Sequence, residues 1–199
     1  MFKIGILVSG GGSNLQAIID RIEDGTLKDC QIVSVVSSNP EAYALERASK
    51  HGIPGLCIPR KGYADSKAYG EALAAHFDAL QVDLIVLAGF LTILDAAFVE
   101  KYKGRMINVH PSLIPSFCGP GFYGLRPHIA ALEYGVKVTG ATVHYVDPEV
   151  DAGPIIAQKA VYVQEGDTPE VLQRRVMEEA EWKILPEAIG KISQAHIGG

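Results

Sequence analysis

In the first half of the chain, apolar residues follow a strand-like pattern and then a helix-like pattern, and this change is repeated. Residues 2–8 form a continuous apolar run that leads into Gly10–Gly12, and residues 14–22 then carry apolar side chains three and four positions apart. That spacing is typical of one face of a helix, whereas a short apolar run is typical of a buried strand. A second apolar run at 31–37 is again followed by a helix-like stretch at 41–51. Strand, turn, helix and strand in this order form a βαβ unit, so the sequence predicts an α/β fold with a doubly wound, mostly parallel sheet.

The next segments extend this pattern. Residues 53–58 are predicted to form a short third strand, and residues 66–80 a helix with Ser66 as its N-cap. Residues 83–90, DLIVLAGF, contain almost no polar side chain. A strand in the middle of a parallel sheet is covered by helices on both faces and has this composition, so we place 83–90 there.

The second half of the chain has a different character. A loop rich in glycine and proline at 111–128 is long enough to suggest a functional role. Residues 137–146 alternate between apolar and polar, which predicts an antiparallel strand with one face nearer water. The other predicted elements are strands at 105–110 and 155–163 and a long helix at 168–195. No linker, repeat or low-complexity stretch interrupts the sequence, and we therefore expect one domain over residues 1–199.

Composition and charge argue against several classes of protein. The net charge of −5 disfavours binding to nucleic acid, since proteins that bind it by charge are usually basic. No apolar run reaches the length of a membrane span, and the first residues lack the layout of a signal peptide. The three cysteines, Cys30, Cys57 and Cys118, are odd in number and form no CxxC pair. We therefore expect a cytoplasmic protein without a nucleic-acid or membrane partner, a disulfide framework or a zinc site.

The glycine turn at 9–14, SGGGSN, lies between the first predicted strand and the first predicted helix. Backbone N–H groups at such a turn favour an anion, together with the positive end of the helix, and glycines let a phosphate approach closely. Two alternatives remain, a tight turn that binds nothing and a dinucleotide site. The dinucleotide fingerprint is incomplete, because Leu15 stands at its third glycine and no acidic residue closes the second predicted strand.

Two polar side chains stand two positions apart at the end of the predicted strand 105–110. Asn108 and His110 therefore share one face, while Ile107 and Val109 point to the core. An amide donor beside an imidazole can stabilise a developing oxyanion and transfer a proton. The alternative is a hydrogen-bonded surface histidine without a catalytic role, and the pair by itself leaves that alternative open.

A second polar pair and an acidic turn follow. Thr142 and His144 share one face of the predicted antiparallel strand. The segment VDPEVDAGP then carries three acids, Asp147, Glu149 and Asp151. This segment is either a solvated acidic turn or a loop that brings one carboxylate to a histidine.

The chain resembles the glycinamide ribonucleotide formyltransferases of purine synthesis over residues 2–190, in the segments VSGGGSNLQAII, DLIVLAGF, INVHPSLIP and GATVHYVDPEVDAGPII. Asn-x-His-Pro-Ser-Leu-x-Pro, followed later by Asp-x-Gly-Pro, is the signature of folate-dependent formyltransferases. The resemblance implies a Rossmann-like formyltransferase fold with 10-formyltetrahydrofolate as co-substrate and glycinamide ribonucleotide as acceptor. It also implies that no metal is needed and that the protein is a monomer or a homodimer.

The resemblance further implies roles for residues at matching positions. The catalytic residues are expected to be Asn108, His110 and Asp151. The phosphorylated substrate is expected to lie against Gly12, Ser13, Asn14, Glu178 and Glu181. The folate is expected to lie against Lys67, Leu91, Thr92, Ile93, Leu94, Asp147, Pro148, Glu149 and Val150. Thr142 and His144 are expected to support the catalytic residues.

The implied reaction is attack of the substrate amine on the formyl carbon of the folate. Asn108 and a protonated His110 would donate hydrogen bonds to the developing oxyanion. Asp151 would raise the pKa of His110 by placing a negative charge beside it. A proton would then reach the folate nitrogen through water.

Three features depart from the family pattern, and three alternatives stay in view. The loop SFCGPGFYGLRPH at 116–128 is longer than the common family loop, so Tyr123, Arg126 and His128 receive no role, and neither does Cys118. Thr92 stands where a basic residue is common, and the segment before Glu181 aligns only after a shift of one residue. Methionyl-tRNA formyltransferases add a C-terminal nucleic-acid-binding domain and formyltetrahydrofolate deformylases an N-terminal regulatory domain, and we expect neither in this chain. A nucleotide-binding protein without enzymatic activity would need neither Asn108 nor His110.

Overall fold

The structure, a computed structural model, describes residues 1–197, with only the backbone of Ile197. The domain predicted from the sequence extends to residue 199, and its last two residues lie outside the described part. The strands of the described chain are β1 (Phe2–Val8), β2 (Cys30–Ser37), β3 (Gly55–Cys57), β4 (Leu84–Leu87), β5 (Met106–His110), β6 (Val138–Tyr145) and β7 (Ile155–Tyr162).

The α-helices of the described chain are α1 (Ser13–Glu23), α2 (Tyr43–Lys50), α3 (Ser66–Leu80), α4 (Ala96–Lys101), α5 (Arg126–Tyr134), α6 (Pro169–Val176) and α7 (Trp182–Ile197). A short 3-10 helix (Arg60–Gly62) precedes α3, and a π-helical turn (Met177–Glu181) joins α6 to α7.

The strands form one sheet in the order β3-β2-β1-β4-β5-β6-β7. Every pair from β3 to β5 is parallel, whereas β6 pairs antiparallel with both β5 and β7. The predicted doubly wound, mostly parallel sheet with an antiparallel strand in its C-terminal half is therefore confirmed. The strand order reverses between β1 and β4, and open α/β sheets bind their ligands at such a reversal, beyond the carboxyl ends of the strands.

Two apolar cores cover the two faces of the sheet. Alternate residues of β1 point to opposite faces, so that Ile4 and Ile6 pack with α1 and α7 while Leu7 packs with α3 and α4. Helices on both faces explain why β1 and β4 are apolar along their whole length. The arrangement leaves the carboxyl ends of the strands as the open edge at which polar residues collect.

Two local predictions are wrong. The N-cap of α3 is Asp65 rather than Ser66, because the Asp65 carboxylate accepts the backbone N–H of Ala68 at 2.8 Å. A carboxylate at this position also interacts favourably with the positive end of the helix. Strand β6 has no wetter face, since its residues from Thr139 to His144 are all buried. Its polar side chains Thr142 and His144 lie inside the protein, where they are hydrogen-bonded.

The helical segments also differ from the prediction. The single helix predicted at 168–195 consists of α6, the π-helical turn and α7. A π-helical turn takes up more residues than an α-helical turn and often occurs at functional sites. Helices α4 and α5 were not predicted, because α4 is too short to show a period and α5 begins inside the glycine- and proline-rich loop. No helix among residues 1–197 has the length and apolar character needed to span a membrane.

Candidate active site

The carboxyl ends of β1, β4 and β5 meet at one edge of the sheet, where the strand order reverses. After β1, the backbone N–H of Ser9 donates to the carbonyl oxygen of Gly89 at 3.1 Å, and the Ser9 hydroxyl accepts the N–H of Leu91 at 2.9 Å. These bonds hold the glycine turn and the segment 91–94 side by side. The crevice between them is the position at which α/β sheets of this topology bind ligands.

Asn108 and His144 face each other across β5 and β6. The amide Nδ2 of Asn108 lies 3.2 Å from Nε2 of His144, and Nδ1 of His144 lies 2.8 Å from the carbonyl oxygen of Tyr145. Because a carbonyl oxygen only accepts, Nδ1 carries a hydrogen, and Nε2 accepts from the amide when His144 is neutral and faces Asp151 as a donor when His144 is protonated. His144 therefore orients the half-buried Asn108 and leaves its second amide hydrogen available to a substrate.

His110 is almost completely enclosed, with an exposed fraction of 4%. Its Nε2 donates to the carbonyl oxygen of Phe117 at 2.9 Å, and its Nδ1 faces an oxygen of Asp151 at 3.4 Å. Both ring nitrogens are thus engaged by protein atoms. To donate to a substrate oxygen, His110 has to exchange its bond to Phe117 for one to the substrate.

Asp151 reaches both histidines from the loop after β6. The oxygen that faces His110 also accepts the backbone N–H of Gly119 at 2.9 Å, and the other oxygen lies 3.6 Å from Nε2 of His144. The next glycine of the Asp-x-Gly-Pro motif, Gly153, has no room for a side chain, since a Cβ there would lie 1.9 Å from the carbonyl oxygen of Tyr145. The motif therefore folds the loop tightly against β6 and directs one carboxylate inward.

The pKa of His110 is set by burial and charge together. Burial lowers this pKa, whereas the charge of Asp151 and the bond to Phe117 raise it. The predicted effect of Asp151 on His110 is therefore present, but desolvation of the imidazolium is the larger effect, and the net pKa lies below the ordinary value. Burial raises the pKa of Asp151, but His144, His110 and the Gly119 N–H together outweigh it and lower the net pKa.

A hydrogen-bond network missed by the sequence analysis fixes the turn after His110. The hydroxyl of Thr142 donates to the Ser112 carbonyl oxygen at 2.7 Å and accepts the N–H of Ile114 at 3.1 Å. On β7, Gln158 donates to the Thr142 hydroxyl at 3.1 Å and to the Ile114 carbonyl oxygen at 2.9 Å. Gln158 gave no signal in the sequence, because its role depends on the register between β6 and β7.

The long loop before α5 lies against His110 and Asp151. Burial and the charge of Asp151 raise the pKa of Cys118, which favours its thiol over the thiolate. His128, at the start of α5, is fully buried, and neither ring nitrogen has a hydrogen-bond partner among the described residues. Burial, together with the charge of His110, lowers the pKa of His128 to about 4, so this imidazole is neutral at neutral pH.

The glycine turn forms the N-terminus of α1, which begins at Ser13. Gly12 adopts a left-handed backbone with a φ of 72°, and a Cβ at this position would lie 2.7 Å from the Cβ of Ala44. Within the described chain, no side chain caps this helix and no acidic residue lies in its first turn. Its first N–H groups are thus unopposed by protein acceptors, which is the arrangement that binds phosphate.

Asn14 and Glu181 form a buried polar pair beside this helix start. Nδ2 of Asn14 donates to a carboxylate oxygen of Glu181 at 2.7 Å, and Oδ1 of Asn14 has no partner among the described residues. Burial raises the pKa of Glu181 from 4.5 to about 7, even though the bond from Asn14 lowers it. Glu178, one turn earlier in the π-helical segment, is exposed.

Both segments predicted to bind folate expose apolar side chains. Leu91 is 62% exposed, Ile93 76% and Val150 41%. Exposed apolar side chains of this kind favour a partly apolar ligand. Lys67 is exposed in the first turn of α3, which packs against α4, the helix that follows the segment 91–94. In the described part of the chain, no group of three or more His, Cys, Asp or Glu side chains is placed to hold a metal ion.

The geometry agrees with a comparison against protein families. The family model described as formyl transferase matches residues 2–189. The chain belongs to the formyl transferase family. The match includes the glycine turn, the strand that carries Asn108 and His110, and the turn that carries Asp151, so the resemblance inferred from the sequence is confirmed.

Members of the family with known names are similar along almost the whole chain. Phosphoribosylglycinamide formyltransferase of Bacillus subtilis is 37% identical over 192 residues, which cover 96% of this chain and 95% of that protein. The trifunctional purine biosynthetic protein adenosine-3 of Bos taurus is 42% identical over 195 residues, but the chain spans only 19% of its length. The crystal structure of glycinamide ribonucleotide transformylase 1 from Symbiobacterium toebii has a TM-score of 0.92 and 42% identity, covering 98% of this chain and 89% of that one.

Gly12→Ala is expected to distort the glycine turn and so to test whether this turn binds phosphate. Alanine is strained at a φ of 72° and would contact Ala44, so the turn must shift away from its anion-binding shape. We expect the KM for a phosphorylated amine to rise about tenfold or more, and the KM for the folate to stay within about twofold, as for the loss of a charged hydrogen bond. Steady-state kinetics with each substrate varied in turn measures both constants.

Gly25→Ala provides the matched control for this change. Gly25 has a similar φ of 77°, lies in the turn after α1, and has open space where a Cβ would stand. The control reproduces the backbone strain without the collision or the phosphate. An unchanged KM for the amine in Gly12→Ala, with melting temperatures showing that both variants fold, would place the phosphate elsewhere.

Glu181 is expected to make stability fall as the pH rises from about 4.5 to 7. The folded protein keeps the Glu181 proton up to a pKa of about 7, whereas the unfolded chain loses it near 4.5. Unfolding therefore releases a proton in this window, and the free energy of unfolding falls by up to about 3 kcal/mol. Glu181→Gln should remove this loss, so that the stability of the variant relative to the wild type increases between pH 5 and pH 8.

Urea unfolding at pH 5 and pH 8 measures the effect, with the exposed neighbour Glu179→Gln as control. The same pH dependence in wild type and Glu181→Gln would show that the buried carboxyl does not hold its proton.

Proposed function

We propose that this chain transfers the formyl group of 10-formyltetrahydrofolate to the amine of glycinamide ribonucleotide, a step of purine biosynthesis. The observation that supports this most is the cluster of Asn108, His110 and Asp151 at the same sheet edge as an uncapped helix N-terminus. An oxyanion site and a phosphate site in one crevice suit an acyl acceptor that carries a phosphate. Because the chain belongs to the formyl transferase family, we infer that the acyl group it transfers is a formyl group.

In the proposed reaction the amine nitrogen of the substrate attacks the formyl carbon. A nitrogen–carbon bond forms, and the carbonyl electron pair moves onto oxygen to give a tetrahedral intermediate. The bond from the formyl carbon to the folate nitrogen then breaks, the amine loses a proton, and the folate nitrogen gains one. The protein therefore has to stabilise a transient oxyanion and to guide one proton between two nitrogens.

The described residues suit these two tasks. The second amide hydrogen of Asn108 and the Nε2–H of His110 are the donors for the oxyanion. The negative charge of Asp151 offsets part of the free-energy cost of protonating the buried His110. We also assign to Asp151 the role of holding the water that carries the proton. Asn108 and His110 stand at the end of a rigid strand, which keeps the two donors aimed at one point.

We assign the two substrates to opposite sides of the crevice. The phosphate lies on the turn at Gly12, Ser13 and Asn14, with Glu181 beside the ribonucleotide. The pterin lies between the exposed segments 91–94 and 147–150, with Lys67 near the folate tail. The proposal includes one domain over residues 1–199, a cytoplasmic location, a monomer or homodimer, and no nucleic-acid or membrane partner.

A spectroscopic assay with 10-formyl-5,8-dideazafolate, run with and without glycinamide ribonucleotide, tests the proposal. We expect deformylation of the folate analogue only when the amine is present, with formylated ribonucleotide as the product. Turnover without the amine would identify a deformylase instead. Lack of turnover in both arms, or transfer to methionyl-tRNA in place of the ribonucleotide, would also overturn the proposal.

A further inference from the structure

The charge of a phosphate bound at the glycine turn is not balanced by the residues assigned to that site above. A phosphate bound at the start of α1 would lie near two acidic side chains of the π-helical turn, Glu178 and Glu181. The partial positive charge of a helix end is about half an elementary charge. A doubly charged phosphate beside carboxyl groups calls for a full positive charge as well, and none of the residues assigned to it so far carries one.

Arg47 of α2 is the described cation that is hydrogen-bonded to the glycine turn. Its Nε donates to the carbonyl oxygen of Gly11 at 2.8 Å, and its Nη1 donates to the side-chain oxygen of Gln16 at 3.0 Å. Its Cδ lies 3.4 Å from the position that a Cβ of Gly12 would occupy. The guanidinium thus spans the turn and the first turn of α1.

The guanidinium is held rigidly in this position. It stacks over the ring of Tyr43, with 4.9 Å between the guanidinium carbon and the ring centroid. Two of its three nitrogens are fixed by the bonds to Gly11 and Gln16, and Nη2 has no hydrogen-bond partner in the described chain. An arginine anchored in this way loses little side-chain entropy when its remaining donors bind an anion.

The free side of Arg47 opens onto solvent beside the helix start. Arg47, Ser13, Gln16 and Glu178 line one groove of about 360 Å³ between α1, α2 and the π-helical turn. Two other cations line this groove: Arg21 is already paired with Asp24 at 2.8 Å, and Lys183, at the start of α7, is exposed and has no hydrogen bond to the glycine turn in the described chain. Arg47 is therefore the cation best placed to meet a phosphate that arrives at Ser13.

We propose that Arg47 is a phosphate-binding residue, which fixes the glycine turn through Gly11 and supplies the positive charge for the substrate phosphate through Nη2. This proposal rests on the proposed function, since it concerns the phosphate of the same amine substrate. It also explains why acidic side chains are tolerated next to the turn. The glycine turn supplies hydrogen bonds, and Arg47 supplies the charge that offsets Glu178.

The test compares binding of glycinamide ribonucleotide with binding of its dephosphorylated nucleoside, by isothermal titration calorimetry. Arg47→Ala is expected to raise the Kd of the phosphorylated amine on the order of 10- to 100-fold, as for loss of a charged hydrogen bond. The Kd of the nucleoside should change less than about twofold, since it has no phosphate for Arg47 to bind. The ratio of the Kd of the nucleoside to the Kd of the phosphorylated amine should therefore fall toward one.

Lys50→Ala is the matched control. Lys50 lies one turn further along α2, approaches the same Tyr43 ring at 5.0 Å, and has no hydrogen bond to the glycine turn. The control removes one positive charge from the same helix and should leave the ratio unchanged. Arg47→Lys, which keeps the charge and loses the two-pronged anchor, should give an intermediate ratio, and it replaces Arg47→Ala if that variant melts early.

The outcomes separate this proposal from the proposed function. An unchanged ratio in the Arg47 variants, or equal weakening of both ligands, would show that Arg47 only supports the fold and would overturn the proposal. A wild-type protein that binds and formylates the ribonucleotide in that experiment would leave the proposed function intact. A wild type that fails to transfer formyl to the ribonucleotide would overturn the proposed function first.

Discussion

Asp151→Asn is expected to lower kcat by at least about a hundredfold, within the usual range for lost acid–base function, with little change in the affinity for the phosphorylated amine. The side chain of Asp151 is only 8% exposed and its two oxygens face His110 and His144. Burial already lowers the pKa of His110, and the charge of Asp151 is the largest effect that raises it. Without this charge the imidazolium becomes harder to form, by about 1.4 kcal/mol for each unit of pKa lost.

The substitution should leave the fold intact. Asparagine tolerates the left-handed φ of 56° at this position, and its amide oxygen can still accept the N–H of Gly119. kcat and KM measured from pH 6 to 9, together with the pKa of His110 from NMR titration, report the two halves of the argument. We expect a lower kcat at every pH and a lower pKa for His110 in the variant.

Asp29→Asn is the control for the chemical change. Asp29 has the same left-handed backbone conformation, with a φ of 57°. It is exposed and lies just before β2, away from the sheet edge that carries Asn108 and His110. Asp147→Asn and Glu149→Gln, in the same loop as Asp151, should also cost much less in kcat. Equal losses in all of these variants, or an Asp151→Asn enzyme within tenfold of wild type, would contradict a partnership of Asp151 with His110.

Asn108→Ala is expected to lower kcat by about 10²- to 10³-fold, the usual cost of one oxyanion donor. The bond to Nε2 of His144 at 3.2 Å orients the amide, so the donor is aimed before the substrate arrives. Because the charge on the formyl oxygen develops only during the reaction, the loss should appear in kcat more than in KM. Steady-state kinetics with both substrates saturating measures it.

Asn108→Asp separates donation from packing. Aspartate has nearly the same shape as asparagine but, when ionised, has no hydrogen to donate. We expect a loss of kcat at least as large as in Asn108→Ala, together with a normal melting temperature. Recovery of activity in Asn108→Asp, or near-wild-type turnover in Asn108→Ala, would remove Asn108 from the mechanism.

The sequence by itself determined the architecture and the placement of two of the three residues in the proposed catalytic cluster. The apolar runs at 2–8 and 83–90 predicted two strands that lie side by side in the centre of the sheet. The two-residue period of β5 placed Asn108 and His110 on one face, with Ile107 and Val109 in the core. These inferences succeeded because periodicity reports directly which face of an element each side chain occupies.

What burial does to a side chain was decided only by the tertiary structure. The alternation of β6 predicted a wetter face, yet Thr142 and His144 are buried, because the loop that carries Asp151 and the turn after His110 cover them. For the same reason the net pKa of His110 lies below its ordinary value, although Asp151 raises it. Sequence patterns identify which charges are present, but the cost of desolvation depends on every element packed around the site.

The contacts between distant segments also had to come from the structure. Asp151 reaches His110 only because Gly153 lets the loop fold closely against β6, and Arg47 reaches Gly11 only because α2 packs on the glycine turn. The sequence showed a carboxylate, a histidine and a glycine turn, each with more than one interpretation, and gave no signal for the arginine. Which of them come into contact is set by the strand order and by the packing of helices on the sheet. A sequence pattern shows the period of an element and the face that each side chain occupies, but it gives no distance between elements.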